Sequence, residues 1–359
     1  MLSQTQKKTA DRTALLLKKI NAITLPSPIN LMEVCGTHTM AIARHAIKGM
    51  LSDQISLISG PGCPVCVTSV GEIEMALSIA SIPNTVIFTF GDMMRVPGVK
   101  ESLSHYPNVR VAYSPFDAVA FAKEHPRTEV AFLGIGFETT IPVVGAAMLQ
   151  AKNEGLKNFS VLSMHKLVPP ALTALLDNNK AKINGLICPG HVSVIIGANA
   201  YRGIQKKYNV PCVITGFEPA DILEGIYLLV RQIQQQTSRV EIQYARAVTM
   251  RGNLKAMNLM HEIYEVCPAH WRGIGVIPKS GLQIRTAFSL FDAKKRFGLK
   301  EHKYTEPKNC LCGRILQGLA IPTDCKVFAK RCTPNTPVGP CMVSSEGACS
   351  AVYKYETSY

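Results

Sequence analysis

Short apolar runs recur along the first two thirds of the chain, separated by stretches long enough for a helix. Successive runs begin about 20 to 30 residues apart, the pitch of strand–helix–strand units, which predicts parallel β-sheets. Residues 72–80 and 171–178 have the apolar periodicity of connecting helices. One run alone could be a buried helix segment, but the regular repetition favours strands for the set. The predicted strands are residues 29–34, 55–59, 85–90, 109–112, 130–135, 159–163, 183–188 and 212–215.

The pattern of residues 29–112 is loosely repeated in residues 130–215, so an α/β protein with two lobes is expected rather than one sheet of eight strands. Lobe I is placed at residues 1–125 and lobe II at residues 126–240. Residues 241–248 could add one strand. Six of the 12 cysteines fall between Cys310 and Cys349, among glycines and prolines. Residues 241–359 are therefore predicted to end in a small domain organised by a metal centre rather than by a large apolar core.

The composition is that of a folded chain without a membrane segment. Of the 359 residues, 47% are hydrophobic and 18% are charged, which argues against disorder. No apolar run approaches the roughly 18 residues that span a bilayer. The N-terminal sequence MLSQTQKKTADR lacks the apolar stretch of a secretory signal. We expect a cytoplasmic protein with no membrane partner, in which cysteines are metal ligands or redox thiols rather than structural disulfides.

The net charge of +14 indicates either a nucleic acid or an acidic protein as partner. Basic residues are scattered, and Lys294, Lys295 and Arg296 form one of the few short clusters. The chain has one tryptophan and no basic stretch studded with aromatic residues that could stack on single strands. We therefore expect no nucleic-acid binding.

The residues that follow each strand are the first candidates for a site, because ligands of open parallel sheets bind beyond the carboxyl ends of the strands. Thiols follow the strands of lobe I, and carboxylate, hydroxyl and imidazole groups follow those of lobe II. If the two sets face each other, they enclose a polar cleft able to bind metals and transfer protons. The segments are CGTHT (35–39), GPGCPVC (60–66), GD (91–92), GFETT (136–140), His165, PGHVS (189–193) and GFE (216–218).

Cys63 and Cys66 form the sharpest local signal. Two residues between the thiols let them close a disulfide or share a metal, and a helix beginning just after them would favour a reactive thiolate. A CxxC pair at a strand-to-helix junction of an α/β protein is typical of redox chemistry. The alternative is a pair of half-buried cysteines, and a zinc site would need two further ligands.

Cys35 and His38 are a looser signal. A thiolate and an imidazole three residues apart in a strand-end loop could ligate one soft or borderline metal. His38 could instead act as the base that deprotonates Cys35. A buried cysteine beside a histidine that merely packs is the alternative, and the nearby CxxC pair favours function.

The Gly134-Ile135-Gly136 sequence does not complete a dinucleotide fingerprint, because Thr139 replaces the third glycine and no acidic residue ends the next strand. Glu138 is better interpreted as a carboxylate of the cleft, next to two threonine hydroxyls. Those threonines could instead cap the following helix.

The C-terminal cysteines favour an iron-sulfur cluster over zinc. Structural zinc sites usually contain thiol pairs separated by two to four residues, and successive cysteines here are separated by one, twelve, six, eight and seven. Widely spaced thiolates among Gly and Pro suit a cubane cluster. We predict Cys325, Cys332, Cys341 and Cys349 as ligands, leaving secondary roles to Cys310 and Cys312, although six thiols are available for four sites.

Five strings in order resemble the motifs of the HypD family of hydrogenase maturation proteins: MEVCGTHTMAIAR, GPGCPVCVT, GFETT, CPGHVSVIIG and CTPNTPVGPCMVSSEGAC. They run from residue 32 to residue 349 and so cover nearly the whole chain. The resemblance implies two α/β domains and a third domain that holds a [4Fe-4S] cluster.

The resemblance also implies a function: a scaffold on which one Fe(II) acquires two cyanides and one carbon monoxide, together with a HypC-type chaperone and a HypE-type cyanide donor. By motif match, Cys35 anchors this iron, shared with a cysteine of the chaperone. Cys63 and Cys66 match the redox-active pair, and His38, Glu138 and His191 fall on motif positions that would line the cleft.

Two other classes of protein remain as alternatives. One is an iron-sulfur-dependent thiol-disulfide oxidoreductase in which the cluster serves Cys63 and Cys66 and no second iron is held. The other is a basic, metal-stabilised nucleic-acid-binding protein, which would show strongly salt-dependent binding to duplexes.

Overall fold

The computed structural model describes residues 4–300 and 304–356, with side chains from residue 11 onward. All eight strands predicted from the apolar runs are confirmed, each to within one residue at either end, and three further strands follow. The strands are β1 (Ile29–Glu33), β2 (Ile55–Ser59), β3 (Thr85–Thr89), β4 (Val109–Val111), β5 (Glu129–Gly134), β6 (Phe159–Ser163), β7 (Ile183–Pro189), β8 (Cys212–Thr215), β9 (Val240–Ile242), β10 (Tyr264–Trp271) and β11 (Gly275–Ile284).

Helices separate the strands as the spacing predicted. Many begin at local signals, such as the reciprocal hydrogen bonds between Ser69 and Glu72, which cap the helix after the CxxC sequence. The α-helices are α1 (Gln4–Asn21), α2 (Gly36–Arg44), α3 (Pro64–Val67), α4 (Val70–Ala80), α5 (Pro115–Glu124), α6 (Ile141–Asn153), α7 (Val168–Asn178), α8 (Gly190–Ile196), α9 (Arg202–Tyr208), α10 (Pro219–Gln234), α11 (Leu254–Ile263), α12 (Ala293–Arg296), α13 (Cys312–Ile315), α14 (Pro340–Val343) and α15 (Ala348–Tyr355). Short 3₁₀ segments cover Ile47–Met50, Gly91–Met93, Leu103–His105, Ala198–Tyr201, Thr286–Phe291 and Pro322–Asp324.

The first nine strands form two parallel sheets, which confirms the predicted α/β class. One sheet has five strands in the order β2-β1-β7-β8-β9, and the other has four in the order β4-β3-β5-β6. Every pair within them is parallel. Strands β5, β6 and β7 are buried along nearly their whole length, as expected where helices cover both faces of a sheet.

The strands do not divide between the sheets at residue 125, as lobes at 1–125 and 126–240 would require. The chain leaves the five-stranded sheet after β2, builds the whole four-stranded sheet, and returns to add β7 beside β1. The physical reason lies in β1, which is buried along most of its length and has two edges whose backbone groups need partners. Its Leu31 lies opposite Leu57 of β2 and Gly185 of β7. Spacing along the chain identifies strands but does not say which strands pair.

The region after residue 240 contains an antiparallel hairpin, β10–β11, that the apolar runs did not reveal. Its strands mix buried, half-buried and exposed positions, so no continuous apolar run marks them. Trp271, the one tryptophan, is fully buried there, and its indole N–H donates to Ser280 Oγ over 2.8 Å. The strand expected at 241–248 is shorter, ending at Ile242. No helix within the described residues is long and apolar enough to cross a membrane.

Candidate functional site

A cavity of about 310 Å³ lies where the carboxyl ends of the two parallel sheets meet. In each sheet the cavity lies at the point where the strand order reverses. This point is between β1 and β7 in the five-stranded sheet and between β3 and β5 in the four-stranded sheet. Such switch points form crevices because the loops on either side leave in opposite directions. The lining comes from the ends of β1 (Val34, Cys35), β2 (Gly62, Pro64, Val65), β3 (Phe90, Gly91, Asp92, Met93), β5 (Ile135, Gly136, Phe137, Thr139, Thr140) and β7 (Pro189, His191, Val192), with Ser344 and Glu346.

Cys35 lines this cavity at the N-cap of α2, directly after β1. Its main-chain N–H donates to Glu33 Oε2 over 3.2 Å, which orients the loop. Burial, followed by the nearby carboxylates of Glu346 and Glu33, raises the pKa of the Cys35 thiol to about 12. Cys35 is therefore a neutral thiol at neutral pH until a cation replaces its proton.

The Cys35 loop and the CxxC loop are joined through their main chains. Gly36 N–H donates to the Gly62 carbonyl over 2.9 Å. A Cβ at Gly62 would overlap the main chain of Cys35, so only glycine permits this approach. The loops that follow β1 and β2 thus form one continuous wall of the cavity.

Cys63 and Cys66 lie behind that wall and are joined by a disulfide, with a Cα–Cα distance of 5.3 Å. Both are almost fully buried, and the Cys66 N–H donates to the sulfur of Cys63 over 3.1 Å at the start of α3. The residues between them, Pro64 and Val65, line the cavity, whereas the two sulfurs do not. The pair can store two electrons without itself facing the cavity.

His38 is turned away from the cavity, into the five-stranded sheet. Its Nε2 lies 3.0 Å from the Gly216 carbonyl oxygen and 2.9 Å from Thr215 Oγ1, and its buried Nδ1 has no partner within the described residues. Burial lowers the pKa of His38 to about 4, so the imidazole is neutral. His38 therefore ties α2 to the end of β8, and the structure does not bring it together with Cys35 as a ligand pair.

His191, by contrast, lines the cavity and is exposed, at the start of α8. Its ring stacks on Phe217 with centroids 3.9 Å apart, and Phe217 also contacts His38 at 4.9 Å. Partial burial lowers the pKa of His191. The sequence division assigned His191 to the second lobe, but its strand, β7, pairs directly with β1. His191 thus follows a strand of the same sheet whose other strands, β1 and β2, precede Cys35 and the CxxC pair.

Glu138 belongs to the loop that carries the cavity-lining threonines, but it is buried and does not itself line the cavity. Its Oε1 accepts from the Val168 N–H over 3.0 Å, and burial raises its pKa to about 7. Thr139 and Thr140 face the cavity, and Thr140 is the N-cap of α6 without a side-chain capping bond. Glu138 thus fixes the start of α7, whereas the neighbouring Thr139 and Thr140 line the cavity.

The C-terminal segment supplies a wall that the strand-end argument did not anticipate. Asp92 accepts from Ser344 Oγ over 2.8 Å and from the Ser345 N–H over 3.1 Å, and Thr37 Oγ1 donates to Glu346 over 2.9 Å. The available signal was the polar run Ser344-Ser345-Glu346 between two cysteines of the last motif. These contacts bring the cysteine-rich tail to the Cys35 loop.

The six C-terminal thiols are neighbours in space. The pKa of Cys310 is raised by its hydrogen bond with Cys312 and then by burial, and Cys312 is also in hydrogen-bonding contact with Cys341. Burial raises the pKa of Cys349, and the charges of Cys312, Cys310, Cys332 and Cys325 raise it further. Cys310 and Cys312 therefore belong to the same group as the four cysteines selected from spacing.

This group is not arranged for one small ion. In residues 4–300 and 304–356, no three His, Cys, Asp or Glu side chains converge as ligands of a single metal ion would. Crowded, buried thiols of raised pKa are disfavoured as free thiolates, and soft cations relieve both the burial and the mutual repulsion. Within the described residues, the cysteine-rich tail and the Cys35 loop thus present buried thiols, the side chains that soft metals prefer.

Comparison with known proteins agrees with the motifs. The family description HypD, "Hydrogenase formation hypA family", matches residues 11–356. The chain is 44% identical over 338 residues to "Hydrogenase maturation factor HypD" of Cupriavidus necator, covering 91% of this chain and 89% of that protein. It is 45% identical over 336 residues to "Hydrogenase maturation factor HypD" of Azotobacter vinelandii, covering 90% and 89%. For the same-named protein of Rhodobacter capsulatus the identity is 42% over 341 residues, covering 92% and 90%. The chain belongs to the HypD family of hydrogenase maturation factors.

Proposed function

We propose that the chain is the scaffold on which the iron of a NiFe hydrogenase acquires two cyanides and one carbon monoxide. The carrying observation is the cavity between the two switch points, whose lining includes one thiol, that of Cys35, an accessible imidazole and the hydroxyls of two threonines. A soft thiolate suits a low-spin Fe(II) with strong-field ligands. His191, Thr139 and Thr140 are polar groups that could orient such ligands.

Cys35 is the anchor for this iron, which is cargo rather than a resident cofactor. It is the cysteine that lines the cavity among the described residues. Its thiol proton is lost when the iron binds, because the ligand is the thiolate. Cys63 and Cys66 sit one loop away, where reduction of their disulfide takes up two electrons and two protons.

The cysteine-rich tail holds a [4Fe-4S] cluster. The support is the mutual contact of its buried thiols, since a cubane spreads its four thiolate ligands over several ångströms. Cys325, Cys332, Cys341 and Cys349 are the ligands proposed from spacing. The contact of Cys312 with Cys341 makes Cys312 the first alternative. When bound, the cluster would supply one-electron chemistry close to the dithiol loop.

A small HypC-type chaperone covers the cavity and shares the iron, and a HypE-type protein delivers cyanide transiently. The support is the surface beside the cavity. Val111 of the edge strand β4 is 47% exposed and packs near Gly91, which lines the cavity, and Tyr113 is 95% exposed. Exposed apolar side chains at an edge strand are typical of a docking surface for protein.

The test is anaerobic co-purification of the chain with its chaperone partner, followed by infrared spectroscopy. The complex should show stretches of iron-bound cyanide and carbon monoxide. The same complex from cells without the cyanide donor should lack the cyanide bands. A pure complex from a maturation-competent cell that shows neither band would refute the scaffold.

A second candidate is an iron-sulfur-dependent thiol-disulfide oxidoreductase without a second iron. The observation that favours it is the disulfide between Cys63 and Cys66 at the start of α3. Its distinguishing result is reduction of a disulfide substrate by the isolated chain, together with the absence of both infrared bands.

A further inference from the structure

The turn of the β10–β11 hairpin connects the dithiol loop to the cysteine-rich tail. Arg272 follows Trp271 in this turn, and its main-chain N–H donates to the Val67 carbonyl over 2.8 Å. Its Nε donates to the Thr68 carbonyl over 2.9 Å. Both acceptors lie at the end of the short helix that carries Cys66. Arg272 therefore fixes the backbone of the dithiol helix by two hydrogen bonds.

The other side of the turn packs on the tail. Gly273 is so close to Gly313 of α13 that a Cβ at either position would overlap the other's main chain. The Gly273 carbonyl accepts from Gln317 Nε2 over 2.7 Å. Helix α13 begins at Cys312, so the turn holds Arg272 beside the first cysteines of the tail.

The guanidinium of Arg272 is buried, and its charge and N–H donors are only partly satisfied by neighbouring groups. The residue is 3% exposed, its Nη1 pairs with Glu306, and the buried Nη2 has no partner within the described part of the chain. Glu306 is itself 35% exposed in its side chain, so water weakens the pair. A buried cation with an unused donor is costly unless further negative charge lies nearby. Arg272 lies within electrostatic range of Cys310, Cys312 and Cys341, so these cysteines would supply that charge once they bind a metal as thiolates.

We propose that Arg272 is the positioning residue that supplies the counter-charge of the cysteine-rich tail and holds it against the dithiol helix. The inference rests on the proposed function for the identity of the tail's metal group, and on this chain's own contacts for everything else. A cubane held by four thiolates carries net negative charge that grows by one on reduction. A fixed cation beside it stabilises the reduced form and raises the reduction potential.

The experiment measures the midpoint potential of the cluster by optical redox titration of the full chain, purified anaerobically. Arg272→Gln should lower the equilibrium constant for reduction by about tenfold, equivalent to ~59 mV for one electron. Arg272→Lys keeps the charge and should shift the potential by less than half as much. Glu306→Gln removes the competing carboxylate and should shift the potential in the opposite direction, upward.

Arg314→Gln is the matched control. Arg314 lies two residues after Cys312 but is exposed, so loss of its charge should leave the potential unchanged because solvent screens it. Equal potentials in wild type and Arg272→Gln would overturn the proposal, as would equal shifts in Arg272→Gln and Arg272→Lys. If Arg272→Gln does not retain the cluster, the potential of Glu306→Gln tests the proposal instead. An unchanged or lowered potential in Glu306→Gln would overturn it. Wild-type protein without iron and sulfide would instead contradict the proposed cluster itself.

Discussion

Cys35 and His191 stand at the carboxyl ends of two adjacent parallel strands, β1 and β7, and both line the cavity between the sheets. They lie far apart in the chain. The pairing of β1 with β7 brings them together at the point where the strand order reverses. The cavity therefore presents a buried thiol and an accessible imidazole, two side-chain types that bind soft or borderline metals.

Cys63 and Cys66 are expected to cycle between dithiol and disulfide. Reduced protein, oxidised mildly and then alkylated under denaturing conditions, should show both thiols protected, because their geometry allows the two sulfurs to bond each other. Cys267, a half-buried free cysteine of strand β10, is the internal control and should still be alkylated. Mass spectrometry reads the outcome. If Cys63 and Cys66 remain fully alkylatable after oxidation, they do not cycle, and a role as metal ligands alone is favoured.

The anaerobically purified chain should contain about four iron and four sulfide per molecule, since thiolates at these spacings suit a cubane. Cys325→Ala or Cys332→Ala should lose the metal and most of the soluble yield together, because the tail would lack its organising centre. Cys267→Ala, in the hairpin, is the matched control and should keep both. One zinc per chain without sulfide would contradict this prediction.

Glu138 should make the protein less stable as the pH rises. Its folded pKa of about 7 lies above the value of 4.5 in the unfolded chain, so its contribution is present below pH 4.5 and is lost as the pH rises through 7. The difference corresponds to about 3 kcal/mol of unfolding free energy as an upper figure. Glu138→Gln keeps an acceptor for Val168 and should flatten this slope in urea unfolding between pH 5 and 8.

Glu124→Gln, at an exposed position at the end of α5, is the control for that measurement and should keep the wild-type slope. Buried Glu33, whose pKa is also raised to about 7, should leave part of the slope in Glu138→Gln. An unchanged slope in Glu138→Gln would show that its carboxyl is not buried as described.

His38 should matter for stability more than for metal binding. His38→Ala removes the hydrogen bond to the end of β8 and leaves a cavity in the sheet, so the free energy of unfolding at pH 8 should fall by roughly 2 kcal/mol. Because the folded pKa of about 4 lies below 6.5, its contribution is present above pH 6.5 and is lost as the pH falls through 4. Denaturant unfolding measures both effects.

His261→Ala, at an exposed position of α11, is the matched control and should change the free energy of unfolding little. Unchanged stability in His38→Ala, combined with loss of the cyanide and carbonyl bands, would instead return His38 to the metal site.

The sequence predicted the strands well because parallel strands covered on both faces are continuous apolar runs, as in β5 and β6. It could not predict that β1 pairs with β7, because pairing depends on contacts far apart in the chain. It also placed His38 in the cleft from the strand-end loop and the motif match, whereas the side chain at position N3 of α2 points into the sheet. Arg272 carried no motif at all, and its burial appears only when the hairpin packs on the tail.

The most direct measurement of the central claim is infrared spectroscopy of the anaerobic complex with the chaperone, comparing wild type with Cys35→Ala and Cys35→Ser. Both variants should keep the fold and the iron-sulfur absorption, with a stability loss on the order of 1 kcal/mol, because a small thiol at a loop removes little buried area. Both should lose the bands of iron-bound cyanide and carbon monoxide, serine included, since a hydroxyl is a poor, hard ligand. Wild-type bands in Cys35→Ala would contradict the account and would place the iron on another residue.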